Sequence, residues 1–361
     1  MNSRRRNPKN SFAPNRSGLV AVTEIVVVVS ILAGLFLLGT QMFSSIAEEA
    51  ASSRNLTRST SPRGVYRISL NQVGDRIWIY RPRDQITQLD VVTREVHDSI
   101  AVAGAELSAV AHSADGMTTV MSGIDGSMYL WRAGEGITHE RRIVIRDAAT
   151  DAAVSEDGRI AVCATPSGVV AGWVRDETSV REIQFELPKC DSNIVKIGLN
   201  RSGRQLIVSR SDGLISFYNA ATGLIDGQPL DVGAECTVFA LSQDERSMAV
   251  ASVAGFARIY DLVAGTIVAE FEMKKSAHSD RPTAIALSPD GKWLVAASNT
   301  MKGIYLANTT TGEPFGRIAG HDGIVRCLQF SPDSSRFYSG SYDGTVRVWS
   351  PISRLQTGSL E

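Results

Sequence analysis

The chain is poor in the residues that build catalytic and metal centres. It has five histidines, His97, His112, His139, His278 and His321, and no two lie within five residues of each other. That excludes the closely spaced histidine pairs that hold zinc on one helix face. His139-Glu140 opens such a phrase, but position 143 is Ile and no second histidine follows. The four cysteines, Cys163, Cys190, Cys236 and Cys327, are irregularly spaced and form no Cys-x-x-Cys pair. Lying in or beside predicted strands, they read as small buried hydrophobes and not as a disulfide framework or zinc ligands. No Gly-x-Ser-x-Gly elbow and no phosphate-binding glycine loop occurs. Aspartates are frequent in turns such as Ser-Ala-Asp-Gly and Ser-Pro-Asp-Gly, yet each turn holds one or two carboxylates, fewer than calcium requires, and turn formation explains them. Charge of one sign is also lacking, with a formal net of −1. Arg4, Arg5, Arg6, Lys9 and Arg16 place +5 in the first seventeen residues, so the remainder carries −6. A mildly acidic body is a poor electrostatic match for nucleic acid. No cofactor, metal or small-molecule substrate is expected.

What the chain does have is a phrase that returns seven times. A turn such as Ser-Pro-Asp-Gly precedes a run of small and branched apolar residues, and its fourth position falls at Gly74, Gly116, Gly158, Gly203, Glu245, Gly291 and Ser334. The steps are 42, 42, 45, 42, 46 and 43 residues. A near-constant period of this size means one supersecondary unit copied, each copy needing its neighbours to cover its apolar faces.

Within a copy the pattern is a four-stranded antiparallel meander. In the last, Ile324 to Phe330 reads as a first strand, Arg336 to Ser341 as a second, Thr345 to Trp349 as a third, and Arg354 to Leu360 as a possible fourth. The second strands, among them MTTVMSG, RIAVCAT and KWLVAAS, are nearly continuous in apolarity. That composition suits strands covered on both faces. The expected fold is therefore all-β, a seven-bladed β-propeller of four-stranded antiparallel blades over residues 64–361.

These repeats resemble WD-repeat β-propellers. The seventh copy carries the resemblance best, with Gly320-His321 opening it and Val348-Trp349 closing its third strand. The resemblance implies a hydrogen-bonded tetrad of His321, Ser339, Asp343 and Trp349, at spacings of 18, 4 and 6 residues. Other copies keep fragments: Asp125 and Trp131 in the second, Trp173 in the third, Asp212 and Tyr218 in the fourth, Tyr260-Asp261 in the fifth. Packing between blades is then expected to carry most of the stability. The resemblance also implicates the residue before the turn aspartate in partner binding on the top face, here Ile124, Ser211 and Tyr342. Many members close the ring with an N-terminal strand in the last blade. Here Val65 to Asn71 fits the innermost position of blade one, so the last outer strand is expected to be C-terminal.

The N-terminal segment is a separate matter. Residues 1–17 form a basic tail, and Gly18 to Phe43 is apolar with Glu24 its only charge, long enough to cross a bilayer as a helix, which Ser44 to Leu56 could prolong. Residues 57–63 are polar and breaker-rich, as befits a linker. Bases before the helix and Glu48 and Glu49 after it predict a cytoplasmic N-terminus and an extracytoplasmic propeller. The stretch VAVTEIVVVVSILAG is similar to the N-terminal helix of type IV pilins and pseudopilins, although Leu19 stands where that family has glycine before the cleavage point.

Three functions follow as expectations. The first is a membrane-anchored, non-enzymatic protein-interaction scaffold. The second is a pseudopilin-like subunit carrying the propeller as cargo. The third is an extracytoplasmic propeller hydrolase, for which His112, Asp151, Lys196 and Arg326 are the ionisable groups that the first strands direct toward a central channel.

Overall fold

The structure, a computed structural model, describes residues 64–82, 85–102, 106–142, 148–188, 191–273, 281–300, 303–351 and 356–359. The basic tail, the apolar segment 18–43, its extension to 56 and the linker 57–63 lie outside the described residues, as do Cys190 and His278.

Seven sheets of four strands follow one another along the chain. Blade one holds β1 (Arg67–Leu70), β2 (Arg76–Tyr80), β3 (Ile86–Asp90) and β4 (Val96–Ile100). Blade two holds β5 (Leu107–His112), β6 (Thr118–Gly123), β7 (Ser127–Arg132) and β8 (Gly136–Arg142). Blade three holds β9 (Asp151–Val154), β10 (Ile160–Ala164), β11 (Val169–Arg175) and β12 (Val180–Glu186). Blade four holds β13 (Ile194–Leu199), β14 (Gln205–Arg210), β15 (Leu214–Asn219) and the short β16 (Leu230–Asp231). Blade five holds β17 (Cys236–Leu241), β18 (Ser247–Ser252), β19 (Phe256–Asp261) and β20 (Thr266–Glu272). Blade six holds β21 (Pro282–Leu287), β22 (Trp293–Ser298), β23 (Ile304–Asn308) and β24 (Pro314–Ile318). Blade seven holds β25 (Val325–Phe330), β26 (Phe337–Ser341), β27 (Val346–Trp349) and β28 (Gln356–Ser359). Every pairing is antiparallel between strands consecutive in sequence. The all-β seven-bladed architecture read from the repeat is thus present.

The repeated turn explains the regularity. Its fourth residue sits at positive φ in all seven copies, including the two that are not glycine, Glu245 at 58° and Ser334 at 61°. Left-handed backbone is costly for a residue with a Cβ, so both need compensation. Each has it from the preceding blade: Glu245 Oε1 accepts the backbone N–H of Arg201, and Ser334 Oγ accepts that of Asp290 at 3.0 Å.

Seven apolar clusters each join two adjacent blades. Trp78, Tyr80 and Ile86 of blade one meet Val110, Met121 and Trp131 of blade two. Val120 and Met128 meet Cys163 and Trp173. The series continues through blades three to four, four to five, five to six and six to seven. The ring closes where Val65, Ile68 and Ile77 pack on Tyr338, Val346 and Val348. The second strands lie in the middle of this packing, and all six residues of β6 are buried. Alternation of sheet faces between two neighbours is why those strands carry no polar side.

Among the described residues closure is by packing, and no strand is exchanged. β28 pairs with β27 as the outermost strand of blade seven. The seam between first and last blades is fastened by Val65 N–H to Ser341 O at 2.8 Å and by Leu70 N–H to Gln329 Oε1 at 2.9 Å. Among the described residues no helix is long and apolar enough to cross a membrane.

Candidate functional site

The seven innermost strands surround a central channel of about 550 Å³. Because all seven run from the same face toward the repeated turn, residues at equal distance from that turn form layers. Eight positions before its fourth residue stand Tyr66, Ser108, Thr150, Val195, Thr237, Thr283 and Arg326, the upper layer of the channel wall. One step below stand Arg67, Ala109, Asp151, Lys196, Val238, Ala284 and Cys327. In five blades the register slips at the upper-layer residue, between Leu107 and Ala109, Ile194 and Lys196, Cys236 and Val238, Pro282 and Ala284, and Val325 and Cys327. Such bulges re-aim a side chain, here at the channel mouth. Two of these side chains also tie adjacent blades: Thr237 Oγ1 donates to Pro282 O at 2.8 Å and Thr283 Oγ1 to Val325 O at 2.6 Å.

The layer below is ionic. Asp151 accepts from Arg67 Nη1 at 2.9 Å, from Lys196 Nζ at 3.3 Å and from the Ile197 backbone N–H at 3.1 Å. Burial alone would push this carboxyl up, but Lys196, Arg67 and the backbone donors reverse that and hold it below the ordinary value. His112 sits three residues deeper. Its ring stacks on Trp78 with centroids 5.0 Å apart, and its Nδ1 lies 2.8 Å from Thr119 Oγ1. Burial, aided by the charge of Arg67, pushes its pKa down to about 3. Asp151 and His112 are therefore engaged in structural contacts and share no hydrogen bond among the described residues. Of the four groups considered for a hydrolase, Asp151 and Lys196 are brought together, while His112 and Arg326 stand apart from them. Cys163, Cys236 and Cys327 carry free thiols, and burial pushes those of Cys236 and Cys327 up to about 12. Among the described residues no cluster of histidine, cysteine and carboxylate could hold a metal ion.

Arg326 occupies the mouth itself. Its guanidinium carbon lies 5.5 Å from the centroid of Tyr66 and 5.3 Å from that of Tyr342, and the two rings are 5.2 Å apart. Tyr80 completes the aromatic group 6.4 Å from Tyr66, its hydroxyl donating to Leu107 O at 2.8 Å. Contact with Tyr342, together with burial, raises the pKa of Tyr66.

The three residues expected on the top face are equivalently placed. Ile124, Ser211 and Tyr342 each give their backbone N–H to the residue entering the inner strand, Glu106, Asn193 and Ile324, at 2.8, 2.9 and 2.9 Å. Ser211 is exposed, as are Ile124 at 54% and Tyr342 at 39%. Tyr342 reaches the channel mouth; Ile124 and Ser211 stand farther round the rim, on blades two and four. In blade seven, Trp349 Nε1 donates to Ser339 Oγ at 2.7 Å, Ser339 Oγ lies 2.6 Å from His321 Nε2, and His321 Nδ1 lies 2.8 Å from Asp343 Oδ2. Thr345 Oγ1 adds a donor to Asp343 at 2.7 Å. Burial pushes the Asp343 carboxyl up, but the His321 and Thr345 hydrogen bonds outweigh it and hold the group well below the carboxylate range. His321 itself is lowered by burial. In blade three Trp173 is equally buried, but its indole N–H has no acceptor among the described residues.

Residues 269–301 and 312–350 match the WD domain, G-beta repeat. The chain thus carries WD repeats in a seven-bladed β-propeller. Other similarities of this WD-repeat protein are local or confined to the fold. It is 36% identical over 75 residues to the Periodic tryptophan protein 2 homolog of Neurospora crassa, covering 21% of this chain and 8% of that protein. It is 37% identical over 67 residues to the Serine-threonine kinase receptor-associated protein of Homo sapiens, covering 19% of each. The matches thus span well under two thirds of these curated relatives. The β-propeller domain of Myceliophteria thermophila Cps50 (Swd1) superposes with a TM-score of 0.69 at 16% identity, over 81% of this chain and 98% of that one.

Two residues of the channel, Tyr66 and Arg67, escape a search for ionisable groups in the six clearer inner strands. Counting eight and seven positions back from Gly74, as for the other turns, finds both.

Proposed function

We propose that this WD-repeat protein is a protein-binding platform whose upper face, the rim bearing Ile124, Ser211 and Tyr342 and the channel mouth between them, receives a protein partner. The observation that carries the reading is the pairing of exposed rim residues with a Tyr66–Arg326–Tyr342 group, since interface energy concentrates in tyrosine and arginine. Relatives with the same repeats support it, one of them named for its association with a receptor kinase. The apolar segment 18–43 supports a single membrane anchor, with the propeller on the extracytoplasmic side by the charge bias around it.

The test is site-specific photocrosslinking in cells, with the crosslinker at Ile124, Ser211 or Tyr342, and at Gln72 and Asp244 on the opposite face. Adducts from the upper positions alone agree with the reading; adducts from the lower positions alone overturn it. Carbonate-resistant membrane association that disappears when residues 18–43 are deleted tests the anchor, and protease accessibility in spheroplasts tests its orientation. A mature chain lacking about its first eighteen or nineteen residues by intact mass would favour the pseudopilin-like alternative, which rests on the VAVTEIVVVV sequence.

A further inference from the structure

Three cations and one carboxylate line the channel: Arg67, Lys196, Arg326 and Asp151. Arg67 and Lys196 are both engaged with Asp151. Arg326 is different. Among the described residues it makes no ion pair, its buried Nε has no acceptor, and its only partners are the faces of Tyr66 and Tyr342. A guanidinium packed against a pair of touching aromatic rings is fixed in orientation without being neutralised, because a ring face attracts a cation but offers no counter-charge. An orphaned buried donor in a native fold calls for an absent partner.

We propose that Arg326 is a receptor for one acidic side chain, Asp or Glu, of the protein partner, with the Tyr66–Tyr342 pair forming one wall beside the carboxylate. This rests on the platform reading and adds the chemistry of what enters the mouth. Carboxylate is favoured because a single free guanidinium edge matches one carboxylate in bidentate geometry. A phosphate dianion would need further donors, and Arg67 and Lys196 are already engaged. A peptide is favoured over a free small acid because the mouth is open and its two tyrosines are about two-fifths exposed, at 40% and 39%, whereas small-ligand sites enclose most of their ligand. The bulge between Val325 and Cys327 is what turns Arg326 toward this position.

The experiment uses the full chain in detergent micelles on arrays of randomised octapeptides whose fixed central residue is Glu, Asp, Gln, Lys or phosphoserine. Binding at least tenfold stronger to Glu and Asp arrays than to Gln, weakening with added salt, is expected. Arg326→Gln should abolish that preference, and Tyr342→Ala should weaken binding while Tyr342→Phe retains it. Equal binding to Glu and Gln arrays would overturn the proposal, as would preference for phosphoserine, or displacement by free glutarate at the concentration of the best peptide. The wild-type comparison needs no variant, so misfolding of Arg326→Gln leaves the question decidable. If photocrosslinks at the upper rim persist in Arg326→Gln with no acidic preference in the wild type, the platform stands and the carboxylate receptor falls. If upper-rim crosslinks are absent altogether, the platform itself falls.

Discussion

Arg67 of the first blade reaches across the channel to Asp151 of the third, Nη1 to Oδ1 at 2.9 Å, passing over the blade between them. Lys196 of the fourth blade approaches the same carboxylate from the other side. One acid thereby connects three blades that share no common sheet.

Removing that acid leaves two cations facing each other in the channel wall. Asp151→Asn is expected to destabilise the propeller by about 3–5 kcal/mol, the usual consequence of breaking a buried ion pair from one side. Arg67→Met, which leaves Lys196 and the Ile197 N–H on the carboxylate, should cost less. Urea unfolding of both variants and of the double variant measures the coupling; additive losses would show that the cross-channel contact is energetically idle.

The tetrad of blade seven and the isolated indole of blade three offer an internal comparison. Trp349→Phe and Trp173→Phe remove similar volume from similarly buried sites, but only the first removes a made hydrogen bond. The first is expected to exceed the second in cost by about 1–2 kcal/mol. Equal losses in thermal unfolding would mean that the bond from Trp349 to Ser339 adds nothing to packing.

Stability should fall on acidification in two stages. His112 has a folded pKa near 3 and an unfolded value near 6.5, and His321 is lowered in the same direction. A histidine kept neutral by burial contributes fully above about pH 6.5, and its contribution is lost below that by up to about 1.4 kcal/mol per pH unit per group. Asp151 and Asp343 are depressed carboxylates, so their contribution is intact above about pH 4 and is lost below it. Urea midpoints from pH 8 to pH 4 should stay level to about 6.5 and then decline, with a shallower decline in His112→Gln. An unchanged slope in that variant would argue against the neutral, stacked histidine.

The non-glycine turn at Ser334 separates backbone strain from side-chain bonding. Ser334→Ala keeps the left-handed strain and loses the acceptor for Asp290 N–H, whereas Ser334→Gly loses the acceptor but relieves the strain. The alanine variant should be the less stable by about 1 kcal/mol. Chemical denaturation of the pair decides it.

Much of this was legible because turns punctuate the chain so evenly. The seven left-handed positions and the four strands of blade seven follow from local spacing, which antiparallel neighbours in one sheet preserve, whereas the tetrad of His321, Ser339, Asp343 and Trp349 was implied by the resemblance to WD repeats. What local spacing cannot convey is contact between blades that are not adjacent. Arg67 meets Asp151 across 84 positions, a distance set by how the ring curves, not by its period. Tyr66 and Arg326 come together for a similar reason, through the closure of the first blade onto the last. The upper-layer bulges were equally hidden, since Thr237, Thr283 and Arg326 share a backbone distortion without sharing a side-chain type.

The seam between Val65 and Ser341 has a consequence for how the chain is made. With no exchanged strand among the described residues to hold the ends in advance, the outward flank of blade one, Ile68 and Ile77 included, stays bare until blade seven, the last of the blades to be synthesised, arrives to cover it. Six finished sheets on a nascent polypeptide would present two sticky flanks at once, the situation in which multi-unit proteins most readily misassemble. Vectorial synthesis therefore places the greatest demand for a holding chaperone late, just before the circle is completed.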